Sequence, residues 1–246
     1  MKYDFGYEID PVWEAGNKNI PGIYIEFKEP WLNPKGFEQI VYDVLANTQD
    51  MNIIEKPEPE DTPFYINNGT INVGNTNGKV ILQTFSLESL VRVAEVFQGK
   101  VPMCFLLWKG TGATDLTYDD PLGYASFINL GVKYKAHFIG PCIAGAPNDY
   151  PELDQPWQDY LIHRAKMKNH PYTFDTYDQM AKYFGQYNFG VADGMFNPPY
   201  LDALFTNHSD MSINYMITHG WRKSPASQTL VDAREVLRKL GYLDNN

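Results

Sequence analysis

The hydrophobic pattern of the chain alternates between short β-rich runs and longer segments whose apolar residues recur at helical spacing. This alternation is typical of βαβ units and predicts a parallel sheet. The short runs predict six strands, at residues 21–28, 79–85, 102–108, 134–141, 167–174 and 201–207. The longer segments predict helices over residues 37–45, 87–94, 177–184 and 228–240, with weaker ones near 121–131 and 155–166.

Residues that flank two of these helices have the chemistry of helix ends. Ser86 precedes the helix that starts at Leu87 and is expected to be its N-cap, while Gly99 lies just past its end. Asp175 is expected to cap the helix that carries Tyr177. These residues favour the helix boundaries that the periodicity predicts.

The number of strand–helix units favours one architecture. Six units in about 220 residues fit a TIM-type (β/α) barrel better than a doubly wound sheet, and no glycine-rich phosphate fingerprint follows any predicted strand. A complete barrel of this type has eight units, so we expect an incomplete barrel with two unpaired strand edges. We expect residues 1–246 to form one such domain, with 56–79, rich in Pro, Asn and Gly, as a loop insertion.

Composition narrows the classes of partner. The chain has 246 residues, 43% of them hydrophobic, which is enough to bury a sizeable core. Its 20 Lys+Arg and 30 Asp+Glu residues give a net charge of −10 without a basic cluster, which argues against nucleic acid as a partner. No stretch approaches the ~18 apolar residues of a membrane span. Cys104 and Cys142 lack paired spacing, so we expect two free, buried thiols.

A charged pair ends the first predicted strand. Glu26 and Lys28 alternate with Ile25 and Phe27, so their side chains point to the same face, which in a barrel would be the interior. Two such charges inside a barrel are costly unless they bind each other or a ligand. Glu26 suits a divalent cation and Lys28 a phosphate oxygen, but a simple ion pair at a strand end explains the spacing equally well.

Four further polar residues are candidates to line a site at the barrel mouth: Gln83, His170, Tyr172 and His208. Gln83 could offer its amide to a ligand or hold a neighbouring loop. His170 precedes Pro171 in a predicted buried strand, where a histidine is more often a core residue than a base. His208 follows a strand end and could reach the mouth. The histidines interpreted as structural are His137 and His163.

The aromatic residues leave open a glycosidase-like barrel with an aromatic mouth. Aromatic content is 15%, and four of these side chains fall near predicted strand ends or loops: Trp31, Trp108, Trp157 and Tyr172. Glycoside hydrolysis needs two carboxylates that flank the scissile bond, and only Glu26 is placed for that role.

Five segments together resemble the glycerophosphodiester phosphodiesterases, the periplasmic bacterial type especially. The segment KNIPGIYIEFKEPW resembles the family's GIY-x-E-x-K-x-PW strand, and NHPYTF resembles its VHPYT strand. The other three matches are VILQTFSLESLVRVAEVF, FIGP and LDALFTNHSD. The matches follow the family's order and cover roughly residues 18–215.

The resemblance implies a (β/α)-barrel hydrolase that cuts small-molecule glycerophosphodiesters to glycerol 3-phosphate and an alcohol, with a bound Ca²⁺ or Mg²⁺. It implies that Glu26 is a metal ligand and that Lys28 contacts the phosphate. It also suggests a periplasmic or secreted location.

This chain departs from the family pattern in its catalytic residues. It contains neither His-Arg-Gly nor His-Asp, and in the family these motifs lie in strands that precede the matched region. Asn207 and Ala203 stand where the family has aspartate and glycine. We therefore expect that the first two strand–helix units are missing and that an N-terminal segment of the same protein is a partner. We also expect no hydrolysis by this chain alone. The alternative is a pseudoenzyme that binds a phosphorylated ligand without cutting it.

Overall fold

A computed structural model of the protein describes residues 23–47, 80–108, 120–184 and 201–219. The chain divides into two compact units, Gly22–Tyr215 and a second unit made of Met1–Pro21 with Met216–Asn246. All the strands described below belong to the first unit. The loop predicted over 56–79 and the helix predicted over 228–240 lie outside the described residues.

The first unit contains a five-stranded sheet in which every pair of neighbours is parallel. Its strands are β1 (Ile23–Glu26), β2 (Val80–Thr84), β3 (Met103–Leu107), β4 (Phe138–Pro141) and β5 (Lys168–Asn169). Their order in the sheet is their order in the chain. Each strand lies within a range that the hydrophobic pattern predicts, so the parallel α/β class is confirmed.

Six helices accompany the sheet in the described residues. They are α1 (Phe37–Asn47), α2 (Leu87–Phe97), α3 (Pro121–Lys133), α4 (Pro156–Arg164), α5 (Tyr177–Tyr183) and α6 (Ser209–Thr218). The first five match predicted helices, whereas α6 follows the last predicted strand and was not expected.

The helix caps confirm one prediction and correct another. The Ser86 side chain accepts a hydrogen bond from the backbone N–H of Ser89, as an N-cap does. The N-cap of α5 is Thr176 and not Asp175, because the Thr176 hydroxyl accepts from the N–H of Gln179 at 3.2 Å and the Gln179 side chain reaches back to the cap. This reciprocal pair is a capping box, which satisfies two N–H groups that a lone aspartate would not.

The two faces of the sheet have different neighbours. One face packs against the helices and forms the main core, with Leu82, Phe105 and Ile139 of the sheet against residues such as Leu90 and Phe127 of the helices. The other face carries a smaller cluster, which contains no helix residue among those that the structure describes: Tyr24, Ile81, Phe85, Cys104, Leu106, Phe138, Tyr172 and Phe205. We call this second surface the inner face.

The inner face is concave. The ring of Tyr24 in β1 lies 4.8 Å from that of Phe205, and its hydroxyl lies 3.1 Å from Nδ1 of His170, which directly follows β5. Residues at opposite edges of a five-stranded sheet can meet in this way only if the sheet curls. Gly140 allows the close packing, because a Cβ there would lie 2.6 Å from Leu106 Cδ2 and 3.1 Å from the carbonyl oxygen of His170.

The end of the sheet differs from the prediction. Residues 201–207, predicted as a sixth strand, form no regular strand, and β5 is shorter than the predicted 167–174. Backbone hydrogen bonds nevertheless run from the N–H of Ala203 to Asn169 and from the N–H of Phe205 to Pro171. Pro171 has no N–H to donate toward residues 201–207, so the edge on that side is extended but irregular, whereas the N–H groups of His170 and Tyr172 still donate to Ile139 and Pro141 of β4.

Candidate functional site

Glu26 and Lys28 lie at the carboxyl end of β1. Glu26 follows Tyr24 by two residues and therefore shares the inner face, and Lys28 Nζ lies 2.8 Å from Glu26 Oε1. The Lys28 side chain is 70% exposed and that of Glu26 only 20% exposed. The ion pair expected as one interpretation of the spacing is present. Because its ammonium is mostly in water, the pair is weak and Lys28 can exchange partners.

Gln83 lies beside Glu26. The two residues are register partners between β1 and β2, and Gln83 lies on the same face as Ile81 and Phe85 of the inner-face cluster. The Oε1 atom of Gln83 is buried, and no described residue donates a hydrogen bond to it. A buried carbonyl oxygen without a donor is unusual in a folded protein. Gln83 therefore joins the charged pair at the carboxyl edge of the sheet.

A set of uncharged polar groups lies beneath this edge. Tyr24 hydrogen-bonds to Nδ1 of His170, whose ring stacks on Phe138 with the ring centroids 4.0 Å apart. Burial lowers the pKa of His170 to about 4, so its imidazole is neutral at pH 7. Burial also raises the pKa of the Tyr24 hydroxyl, and it raises the pKa of the Cys104 thiol to about 12. His170 is thus a core histidine, as its position before proline favours.

The other predicted site residues lie elsewhere. The Tyr172 hydroxyl donates to the carbonyl of Leu107 at 3.0 Å, and its ring contacts Phe85 edge-on, so it lies along the inner face near the ends of β3 and β4. His208 is exposed, and its backbone N–H donates to Thr206 Oγ1 at 2.8 Å. Among the described residues no contact joins His208 to Glu26 or Lys28.

Only some of the aromatic side chains that were expected at strand ends or loops lie at the carboxyl edge of the sheet. Trp31 and Trp108 follow β1 and β3, and they are 74% and 41% exposed. Trp157 instead lies in α4, where it packs against Tyr124 and its Nε1 donates to Gln155. The aromatic mouth of the glycosidase interpretation therefore loses one of its expected members.

The described residues do not by themselves fit a complete metal site. In this part of the chain no group of three or more His, Cys, Asp or Glu side chains could hold an ion. The carboxyl edge offers the carboxylate of Glu26, already paired with Lys28, and the amide oxygen of Gln83. Ca²⁺ takes roughly six to eight oxygens. The prediction of Ca²⁺ or Mg²⁺ thus stays a prediction based on the resemblance.

A buried polar network at β5 was not predicted as a unit. The Asn169 amide donates to Asp154 Oδ1 at 2.7 Å and to Asp159 Oδ1 at 3.1 Å. His163 lies between Asp159 and Asp202, at 3.2 and 2.8 Å, in agreement with its structural interpretation. Lys168 pairs with Asp202 at 2.8 Å. These residues are up to 48 positions apart in the chain, so no local spacing could indicate the network.

Burial and hydrogen bonding shift the pKa values in this network. Burial raises the pKa of Asp154, and the neighbouring Asp159 raises it further. Burial alone would raise the pKa of Asp202, but hydrogen bonds from His163, Lys168 and the Asn169 backbone lower it overall. Hydrogen bonds to Asp159 and then to Asp202 raise the pKa of His163 to about 10. At neutral pH His163 is therefore a cation held between two carboxyl groups.

The charge on His163 leads to a pH-dependent prediction. Its pKa is about 10 in the folded state and about 6.5 when unfolded. The stability it contributes is therefore complete below about pH 6.5 and is lost as pH rises through 10. We expect the free energy of unfolding of the wild type to exceed that of His163→Gln by about 1 kcal/mol at pH 6. This difference should shrink at pH 10.5.

Urea unfolding of the wild type and of His163→Gln at the two pH values measures this difference. Lys168 and the other titratable groups are present in both proteins, so their contributions cancel when the two are compared at the same pH. A difference of equal size at pH 6 and pH 10.5 would contradict the charged state of His163.

Asn207, which stands where the phosphodiesterases that the sequence resembles have aspartate, makes two hydrogen bonds in the structure. Its backbone N–H and its side-chain amide each donate to the carboxylate of Asp175 at 2.9 Å. An aspartate at 207 would place a second carboxylate against Asp175 and lose the side-chain donor. For Ala203 no such reason is found.

No protein-family model matches the chain, and no curated protein matches it. None of the helices in the described ranges has the length and apolar content of a bilayer span.

Proposed function

We propose that this chain carries the phosphate-binding half of a glycerophosphodiester phosphodiesterase-type site, on a TIM-type (β/α) barrel. The observation that carries the proposal is the position of Glu26 and Lys28 side by side at the carboxyl end of β1, on the concave face of a parallel sheet. In (β/α) barrels, working residues lie at the carboxyl ends of the strands. The resemblance of five ordered segments to the glycerophosphodiester phosphodiesterases is the reason to propose a phosphate ester as the ligand.

The register of the sheet supports the barrel. One register row runs across the five strands through Glu26, Gln83, Cys104, Phe138 and Lys168. The contact across the inner face, however, joins Tyr24, two residues before Glu26, to His170, two residues after Lys168. From β1 to β5, four strands further on, the contact is thus displaced from the register row by about four residues, or about one residue per strand. An eight-stranded (β/α) barrel has a shear number of about 8 and therefore the same displacement per strand.

The charged pair can act on a phosphate ester as follows. The exposed Lys28 ammonium leaves Glu26 and donates to a phosphate oxygen, a charge-assisted hydrogen bond stronger than a neutral one. The Glu26 carboxylate then remains beside the phosphate. Because a carboxylate can only accept hydrogen bonds, a second phosphate oxygen is disfavoured next to it. The ester is thereby oriented with its phosphate at Lys28.

Binding by this half-site does not amount to hydrolysis. Cleavage of a phosphodiester needs a proton for the leaving alkoxide and stabilisation of the developing charge in the same site. Glu26 and Lys28 supply neither an acid–base pair nor a complete metal site, and His170 is buried and holds Tyr24. A non-cutting phosphate-binding protein is the second candidate, and it shares this half-site.

We therefore expect the purified 246-residue chain to release no glycerol 3-phosphate from glycerophosphocholine, with Ca²⁺ or Mg²⁺ present. An enzyme-coupled assay for glycerol 3-phosphate measures this, and a known phosphodiesterase added to the same mixture is the positive control. Release that a chelator abolishes would show that the chain has a complete catalytic site and would contradict the proposal of a half-site.

A further inference from the structure

Large hydrophobic side chains that reach solvent concentrate at the carboxyl end of the sheet. Of the ten that are exposed in the described ranges, six follow a strand or lie in the first turn of the helix after it: Trp31, Leu32, Trp108, Leu122, Tyr150 and Tyr177. We call these six side chains the apolar rim. The other four lie beyond the first turn of a helix.

The direction of the helices places Leu122 and Tyr177 at this end. A helix that connects two parallel strands runs back along the sheet, so its first turn lies at the carboxyl ends of the strands. The α3 helix, which carries Leu122, shows this direction. Only residues 134–137 separate its last residue from β4, and near its start the Tyr124 hydroxyl donates at 2.8 Å to the carbonyl of Leu153, in the loop that follows β4.

Trp31 and Leu32 lie in a turn whose backbone is held in place. The N–H of Leu32 donates to the carbonyl of Glu29 at 3.0 Å, and Nη1 of Arg92 in α2 donates to the carbonyl of Pro30 at 3.3 Å. Trp31 is 74% exposed and Leu32 is 71% exposed. Two adjacent large apolar side chains are thus kept in water, and a partner that covers them gains the free energy of their burial.

The composition of the apolar rim favours a lipid surface over a protein partner. Four of its members are Trp or Tyr, which concentrate at bilayer interfaces because the ring is apolar while its N–H or O–H stays hydrated. The rim comes from the connections that follow four different strands. A fluid lipid surface accepts side chains that project separately, whereas the core of a protein interface is packed as densely as a protein interior.

Charge indicates the kind of lipid. The chain has a net charge of −10, so an anionic bilayer would repel it. Exposed residues of both signs nevertheless lie in the same connections as the apolar rim: Lys28, Lys35, Asp149 and Asp178. This mixture suits a phosphocholine headgroup, because ammonium groups attract its phosphate, while carboxylates and the faces of aromatic rings attract its quaternary ammonium.

We propose that the carboxyl end of the sheet docks on a zwitterionic phosphocholine bilayer surface, with Trp31 and Leu32 inserted at the level of the headgroups. The chain then binds at the interface as a peripheral protein, through side chains of its loops. This inference goes beyond the proposed function and does not depend on it, because the docking requires no phosphate ester at Lys28.

Cosedimentation with sucrose-loaded dioleoylphosphatidylcholine vesicles, in chelator, measures the partition coefficient of the chain. We expect the wild type to bind and the double variant Trp31→Ser with Leu32→Ser to partition about 10- to 100-fold more weakly, the range for partial burial of two large side chains. The matched control is Val44→Ser with Tyr160→Ser, which removes an exposed aliphatic and an exposed aromatic side chain from α1 and α4. It should bind as the wild type does.

Several results would overturn the inference. A wild type that leaves the vesicles unbound, or that binds only when phosphatidylserine is added, would exclude docking on a zwitterionic surface. Equal weakening by the two double variants would indicate general stickiness of exposed apolar side chains. Sedimentation velocity without vesicles covers a further outcome: self-association of a wild type that binds no vesicles, lost in Trp31→Ser with Leu32→Ser, would assign the apolar rim to a contact between copies of the chain.

Quenching of tryptophan fluorescence tests insertion on the wild type itself. With phosphatidylcholine brominated on its acyl chains, we expect the emission of the bound chain to be quenched, and Trp31→Phe to bind while losing part of that quenching. Bound protein without quenching would contradict insertion. Lys28→Met should still bind the vesicles, so loss of phosphate-ester binding in that variant and loss of docking are separate outcomes.

Discussion

Replacing Asn169 with alanine is expected to lower the free energy of unfolding by about 3 kcal/mol, because two buried carboxyl groups lose their shared donor. The Asn169 side chain is fully buried and donates to Asp154 at 2.7 Å and to Asp159 at 3.1 Å. Asp159 keeps its contact with His163. Asp154 is itself fully buried, so the lost hydrogen bond cannot be replaced by bulk water.

Urea unfolding measures this effect, and a surface asparagine provides the control. Asn47 donates its amide to the carbonyl of Asp43 at 2.7 Å on the exposed end of α1, and Asn47→Ala should cost less than about 0.5 kcal/mol. In a double-mutant cycle, Asp154→Ala should reduce the further cost of Asn169→Ala by about 1 kcal/mol. A cost for Asn169→Ala as small as that of the surface control would mean that the buried network does not stabilise the fold.

Replacing Lys28 with methionine is expected to weaken the binding of sn-glycerol 3-phosphate by about 10- to 100-fold, the range of one hydrogen bond to a charged group. Stability should change little, because the Lys28 side chain is 70% exposed and its ion pair is of the weak surface kind. The loss would therefore report on the ligand contact and not on the fold. Titration calorimetry in the presence of a chelator measures the effect without a contribution from metal ions.

Two further variants sharpen the interpretation. Lys166→Met removes an exposed lysine from the turn before β5, at the opposite edge of the sheet, and should leave binding unchanged. Glu26→Gln frees Lys28 and removes a carboxylate beside the anion, so in chelator it should strengthen binding. Equal weakening by Lys28→Met and Lys166→Met would indicate only a general effect of net charge.

Much of the sheet could be predicted because its signals are local. β3 reads as the continuous apolar run MCFLL, and all of it is buried, as expected for a strand covered on both faces. The face of Glu26 also follows from local alternation with Ile25 and Phe27. Such periodicity can be recognised without knowing which segments of the chain the strand packs against.

The edge at residues 201–207 could not be predicted from periodicity. LDALFTN has the composition of a strand, but whether it becomes one depends on the residue it lies against, and Pro171 offers no N–H there. The prediction of the N-cap of α5 was wrong for a related reason. Asp175 and Thr176 are both good caps, and only the reach of the Gln179 side chain decides for Thr176.

The candidate site was predictable in its residue types and less so in its connections. Glu26, Lys28 and Gln83 come from strand ends that any parallel sheet brings to one edge. That Tyr24 meets His170, 146 positions away, depends on the curvature of the sheet. The network around Asn169 depends on where α4 docks, which is set by tertiary packing and not by any motif.

The central claim is that phosphate binds at the carboxyl end of β1 through Lys28. Amide NMR of the ¹⁵N-labelled protein, titrated with sn-glycerol 3-phosphate in chelator, tests it most directly. We predict that the largest saturable shifts fall on residues 26–28 and on Gln83, and that in Lys28→Met these shifts saturate only at about 10- to 100-fold higher ligand concentration. Saturable shifts confined to other residues, or none at ligand concentrations that saturate calorimetric binding, would contradict it.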